Sequence, residues 1–391
     1  MLARPAVGSS NGTDRVEEHR TVLRDLTGAG GAINAESNYA SQHNPQWFDQ
    51  ETGRPLADRD REQRDVIREF RATSPNVPRD HKAILLAGPP GAGKTTAQDE
   101  LFASTGTTKA DWRILNADDF KDRLFKRALA DGSYDSRLTP PEVSAAEAGG
   151  EKVWPRERAA LVHEESSAIM KRARDQSMRQ GENIIIDGTL NNADAGDKLV
   201  KRLEEQGYSV RIALVDGPRA VTEARVAYRW NRGYEGAVNG IPDPDDPDLL
   251  TLGGRWVPAE VTDALYRDGN DDSICANAAQ AIAKSSTAVT QLDVYRITEP
   301  GGSPALVEQR IGKRADGRWD SIKRFGDEQR RYMSKRAEIL EESTSTNSEQ
   351  PVSMSGGSTP RCTVCGRPLR SAESIARGAG PTCAGAHAPS Y

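Results

Sequence analysis

The sequence predicts an α/β fold, with a mostly parallel sheet covered by helices on both faces. Three observations carry this. Continuous apolar runs recur (KAILLA, NIIID, SVRIALVD), as in strands buried on both faces. Longer stretches with apolar residues at helical spacing lie between them. The first run ends in a Gly-rich turn that opens a helix, LLAGPPGAGKTT over residues 85–96.

Residues 1–45 are rich in Gly, Ser, Asn and charge and read as a mobile N-terminal arm. Residues 46–270 read as the main domain, with its core over 80–270. WFDQETGRPLADRDREQRDVIREFR predicts a charged helix from Trp47 to Arg71, anchored by Val66, Ile67 and Phe70. KAILLAG is the first strand, and a helix follows near Lys94. RILNADD is the second strand, followed by the helix DFKDRLFKRALA. Residues 132–156, with TPPE and VWPRER, read as loop. RAALVHEESSAIMKRARDQSMRQ predicts one long amphipathic helix, with Leu161, Ile169, Ala173 and Met178 among its apolar positions. NIIID is the third strand, and the next helix ends at Gly207. SVRIALVD is the fourth strand, and AVTEARVAYRWNRG a helix ended by Gly233.

An acidic loop follows over 241–248, then a short helix from about Pro258. Residues 271–342 read as a C-terminal extension, with a β-pair (QLDVYRI with ALVEQR) and a charged helix over 321–342. Residues 343–360 are a low-complexity linker by composition. Residues 361–391 read as a small zinc-binding module. Cys362-x2-Cys365, seventeen residues, then Cys383-x3-His387 supply four ligands at the spacing of a structural Zn²⁺ site. Cys275 stands apart as a plain thiol.

The chain has 391 residues, room for two or three domains, with 36% hydrophobic and 28% charged residues. A net charge of −5 argues against a nucleic-acid-binding coat. Nowhere do 18 apolar residues run together, and MLARPAVGSSNGTDR has no apolar leader core. The expectation is a cytoplasmic protein with no membrane partner.

Residues 88–95 fit G-x-x-x-x-G-K-[ST] and stand between a strand and a helix, the context the motif requires. Gly88, Pro89, Pro90, Gly91, Ala92, Gly93, Lys94, Thr95 and the adjoining Thr96 are therefore candidate ATP-binding residues. The glycines let backbone N–H groups face phosphate oxygens, and the helix N-terminus adds its positive dipole end. Lys94 would bridge the outer phosphates and Thr95 would hold Mg²⁺. The fold expected is thus P-loop NTPase-like.

Transfer of the phosphate needs a carboxylate near the attacking oxygen and cations on the moving group. Asp118 and Asp119 end the second strand, and Asp187 ends the third, before Gly188 and Thr189. Arg225, Arg229 and Arg255 are the candidate cations. A nucleotide switch needs neither set, which favours an enzyme.

LLAGPPGAGKTT, RILNADDFK, VHEESSAIMKRARDQSMRQGENIIIDGTL, GYSVRIALVDGP, RVAYRW and GRWVP together resemble the zeta toxin family, over about residues 80–270. The resemblance implies a P-loop kinase whose characterised members phosphorylate the 3′-hydroxyl of UDP-N-acetylglucosamine, acting as a toxin opposed by an antitoxin protein. It implies that Lys94 and Thr95 bind phosphate and Mg²⁺ and that Asp118 takes the hydroxyl proton. It implies substrate binding by Asp118, Asp187 and Thr189, and a clamp of Arg229 and Arg255 during transfer. The His-Pro pair common after the family's base is missing from DDFKDRLFKRALADG, and Asp187 stands where some members carry Glu. His163, Glu164 and Glu165 fit the family's next helix, with His163 read as part of a polar face. A kinase of a nucleic-acid 5′-hydroxyl or of another small molecule is the alternative.

Overall fold

The computed structural model describes residues 12–267, 272–314 and 316–326. Among these, seven strands form one sheet: β1 Lys82–Ala87, β2 Arg113–Asn116, β3 Ile184–Asp187, β4 Ser209–Asp216, β5 Val289–Arg296, β6 Ala305–Lys313 and β7 Trp319–Arg324. Their order is β2-β3-β1-β4-β5-β6-β7; the first five are parallel, and β6 and β7 return antiparallel. The helices are α1 Gly12–Thr27, α2 Ala57–Ala72, α3 Lys94–Thr105, α4 Ala117–Asp131, α5 Ser133–Arg137 and α6 Pro141–Ala148. They continue with α7 His163–Arg179, α8 Ala193–Glu205, α9 Arg219–Asn239, α10 Leu249–Leu252, α11 Ala259–Asp263 and α12 Ile274–Ser285. None of the described helices is long and apolar enough to cross a membrane.

The apolar runs behave as strands buried on both faces. In β1, Ala83, Leu85 and Ala87 pack with Phe120 and Leu124 of α4 and Ile169 and Ala173 of α7. Ile84 and Leu86, pointing the other way, pack with Ala97, Leu101 and Phe102 of α3. The chain leaves β1 toward the β2 edge, returns to β3 and then crosses to β4. That reversal beside β1 opens a crevice at the carboxyl ends of the strands, where open α/β sheets bind ligands. In register, Asp187 lies beside both Leu86 and Asn116.

Several expectations are corrected. Residues from Gly12 onward are not an arm: α1 and the segment after it are packed, with Leu23 and Ile33 fully buried. A few apolar residues among Gly and Asn suffice when each meets the core. The helix expected from Trp47 starts at Ala57; Trp47 and Phe48 are buried anchors of a turn closed by a Phe48–Pro55 bridge. Residues 132–156 hold α5 and α6 rather than loop, and Pro155–Val162 is a 3-10 segment that delays α7 to His163. Proline at the first turn of α6 and of the 3-10 segment starts each one.

Gly233 does not end α9, which runs to Asn239. A Cβ at Gly233 would sit 2.8 Å from Gly254 Cα, so this glycine lets the chain at 253–256 cross the helix closely. The start of the charged helix expected over 321–342 is β7, whose pairing with β6 overrides its charge pattern. Its charged side chains suit an exposed edge. The rest of that helix, the linker 343–360 and the module 361–391 with Cys362, Cys365, Cys383 and His387 lie outside the described residues.

Candidate active site

The loop from Gly88 to Gly93 leaves β1 and enters α3. A Cβ at Gly88 would lie 1.9 Å from Val215 O of β4, and one at Gly91 2.3 Å from Thr222 O of α9. Both positions also have positive φ, so only glycine fits this turn. The first N–H groups of α3 have no acceptor inside the helix and face the loop's concavity. Lys94 Nζ folds back to donate to Gly88 O (2.9 Å) and Pro89 O (3.2 Å). Burial pushes the Lys94 ammonium pKa down, with Asp187 opposing. Thr95 stands exposed at the helix start. Such a cradle, with a half-buried ammonium at its mouth, fits a polyphosphate and its metal ion. Among the described residues no cluster of three or more His, Cys, Asp or Glu forms a ready-made metal site.

Two strand ends are stitched together beside this loop. Asn116 caps α4 by accepting from the Asp118 N–H (2.8 Å) and donates its amide to Asp187 Oδ2 (2.8 Å). Thr189 O accepts from the Gly88 N–H (3.1 Å), tying the end of β3 to the loop. Burial raises the Asp187 pKa, and Lys94 opposes it. Asp118 behaves oppositely. Burial would raise it, but Lys121 and Arg255, with Arg229 beyond, hold its carboxyl well below the usual carboxylate range. Lys121 Nζ donates to Asp118 Oδ1 at 3.0 Å, and Arg255 Nη1 lies 3.4 Å from Oδ2.

Arg255 is held by a network that sequence reasoning missed. Its Nη2 donates to Asp122 Oδ2 (2.6 Å), and Asp122 also receives a two-point contact from Arg156 (2.9 and 3.2 Å). Arg156 is buried and continues to Asp246 Oδ1 (3.0 Å) and Gly253 O (3.2 Å). The signal was present: Asp122 is four residues after Asp118, hence on the same helix face. Arg156 sits in VWPRER, which carried no motif to mark it.

Arg229 reaches the same cleft from α9 and, among the described residues, makes no hydrogen bond or ion pair. Burial and the charge of Arg255 lower its pKa. Arg225 is engaged elsewhere: it donates to Gly91 O, Pro300 O and Gly302 O, each at 2.8 Å. It lines the cleft, but its guanidinium braces the loop and is not a spare cation. Asp119 and His163 line the cleft, and burial lowers the His163 pKa. Glu165 points away, in a buried two-point pair with Arg59 of α2 (2.7 Å each). Cys275 is buried, and burial pushes its thiol up to about 11, so it is chemically inert.

The whole forms a cleft of about 2440 Å³, lined by Lys94, Asp118, Asp187, Arg229 and Arg255 together with residues of the N-terminal segment. Such a site can hold an anion at one point and present an ionised carboxylate beside it.

The zeta toxin family model matches residues 65–303, and a model of a family of unknown function (DUF6011) matches residues 353–387. No protein with a curated description matches the chain. Among solved structures, one from the PezAT chromosomal toxin–antitoxin system of Streptococcus pneumoniae aligns at 14% identity. It covers 74% of this chain and 96% of that one, with a TM-score of 0.40. The AvrRxo1-ORF1:-ORF2 complex with ATP aligns at 16% identity over 79% of this chain and 78% of that one, with a TM-score of 0.45. The family match spans more than half of the sequence, and the chain belongs to the zeta toxin family, a family of P-loop kinase-like phosphotransferases.

Proposed function

We propose, with membership of the zeta toxin family as the premise, that the protein transfers the γ-phosphate of ATP to the 3′-hydroxyl of UDP-N-acetylglucosamine or a related sugar nucleotide. One observation supports this above the others: a phosphate loop, Asp187 at the end of β3, Asp118 in the first turn of α4 and two arginines from separate elements converge on a single cleft.

In this reading the loop amides and Lys94 hold the outer phosphates, and Thr95 offers its hydroxyl to Mg²⁺. ATP would supply the phosphoryl group, and Mg²⁺ held at Thr95 would supply charge neutralisation there. Asp187 and Thr189 orient the acceptor. Asp118 accepts the hydroxyl proton as the new O–P bond forms and the bond to the departing ADP breaks. Arg229, which has no competing partner among the described residues, neutralises the phosphoryl oxygens. Arg255 is paired with Asp118 and Asp122 here. Its movement toward the phosphates would leave Asp118 with one cation fewer, and so more basic, when the proton must move. The biological reading is a toxin that consumes a sugar nucleotide and is restrained by an antitoxin protein.

The test is direct. The purified protein is incubated with ATP, Mg²⁺ and UDP-N-acetylglucosamine, beside other sugar nucleotides and 5′-hydroxyl oligonucleotides, with Lys94→Ala as control. Mass spectrometry should show one added phosphate on the sugar nucleotide, absent from the control. Phosphate on an oligonucleotide alone would overturn the substrate and favour the nucleic-acid reading.

A further inference from the structure

We propose that residues 28–39, which precede the segment matched by the family model, form a wall of the cleft that binds the uncharged, hydroxyl-rich part of the acceptor. This rests on the kinase reading above and names who supplies its specificity.

The cleft is lined by Lys94, Arg229 and Arg255 and also by residues 28–39. The segment contains no Lys or Arg. It offers Glu36, Asn38 and Tyr39, and Glu142 of α6 and Ser167 of α7 line the same cleft. Glu36 and Asn38 are exposed, and their side chains make no hydrogen bond to the described residues. A wall of carboxylate, amide and hydroxyl groups without a cation repels phosphate and suits hydroxyls, which both donate and accept. The phosphates of a substrate therefore belong against Lys94, Arg229 and Arg255, and its neutral ring against this segment.

The segment is built in rather than draped. Ile33 is fully buried, and its N–H donates to Leu26 O (2.8 Å). Trp256 Nε1, next to Arg255, donates to Thr27 Oγ1 (3.0 Å). Upstream in α1, His19 is fully buried, with Nδ1 at 2.9 Å from Glu151 and Nε2 at 3.1 Å from Glu157. Its ring stacks on Tyr234 of α9, 4.4 Å between centroids. Glu157 also accepts from Trp230 Nε1 (3.0 Å), the neighbour of Arg229. The wall and the arginine helix thus share one anchor, so their spacing across the cleft is set.

The test uses the full chain carrying Glu36→Ala and Asn38→Ala together; both side chains are exposed, so the melting temperature should stay unchanged. Calorimetry with UDP-N-acetylglucosamine and with a non-hydrolysable ATP analogue separates the two ends of the cleft. Acceptor Kd should weaken about tenfold, the loss of one or two hydrogen bonds, while the Kd for the ATP analogue stays as in the parent. Unchanged acceptor affinity would overturn the inference and leave the kinase reading standing. Faster turnover in the variant would also overturn it, by making the segment an obstruction. A parent chain that binds and phosphorylates no sugar nucleotide would overturn both together.

Discussion

The two ends of the cleft are made in different ways. In the proposed reading the phosphate end comes from one contiguous stretch, Gly88 to Thr95, and relies on backbone amides and a single ammonium. In the same reading the acceptor end draws on residues 28–39, α6, α7 and the 253–256 crossing, all of which line the cleft, and relies on side chains. Backbone recognition can be local, because consecutive N–H groups already lie together. Side-chain recognition of a shaped molecule needs groups on several sides, which only folding assembles. A family can therefore keep its phosphate end as a legible motif while its acceptor end changes from chain to chain.

That contrast can be broken most sharply at Lys94. Lys94→Ala should lower phosphoryl transfer at least about 10³-fold, read by product formation at saturating acceptor. Retained turnover would remove the loop from the chemistry. Asp118→Ala should cost about 10²- to 10³-fold in kcat while the affinity for an ATP analogue is kept, because the residue acts on the acceptor's proton. If analogue binding fell as well, the division between the two ends would be wrong.

Asp122→Ala separates support from chemistry. It leaves the buried Arg156 without one carboxylate partner and releases Arg255. We expect a loss of about 3 kcal/mol in denaturant unfolding and a fall in kcat of about tenfold. Unaltered stability would mean that Asp246 alone satisfies Arg156.

The smallest effect concerns the anchor of the N-terminal wall. Burial opposes protonation of His19, but the carboxylates of Glu157 and Glu151 outweigh it, so its pKa is raised above 6.5. The stabilisation by the protonated ring is then fully present below about pH 6.5 and is lost as pH rises through the raised folded value. His19→Gln should cost about 1–2 kcal/mol at pH 6, and the gap in Tm from the parent should narrow toward pH 9. A gap constant with pH would show that the ring contributes by packing alone.

Much of the central fold was readable because it rests on period and local chemistry. Apolar runs mark doubly buried strands, but the second strand stops at Asn116, whose side chain caps α4, so Asp118 and Asp119, expected at the strand's end, lie in the first turn of that helix. Errors cluster where a residue's partner is remote. Gly233 read as a stop because local propensity says so, yet its reason is Gly254. The stretch 321–324 read as helix because its charges fit one, yet β6 recruits it as a strand. Residues 12–45 read as an arm because few are apolar, yet His19, Leu23 and Ile33 are each enclosed by other elements.

What the sequence by itself determined is the α/β order of the core, the phosphate loop and Asp187 at a strand end, because each follows from neighbours along the chain. Only the tertiary structure decided that Asp122 and Arg156 hold Arg255, that Arg225 braces the loop while Arg229 stays unpaired among the described residues, and that residues 28–39 wall the cleft. Those outcomes are contacts across long stretches of chain. Their energies come from burial and charge pairing, which exist only once the chain has closed on itself.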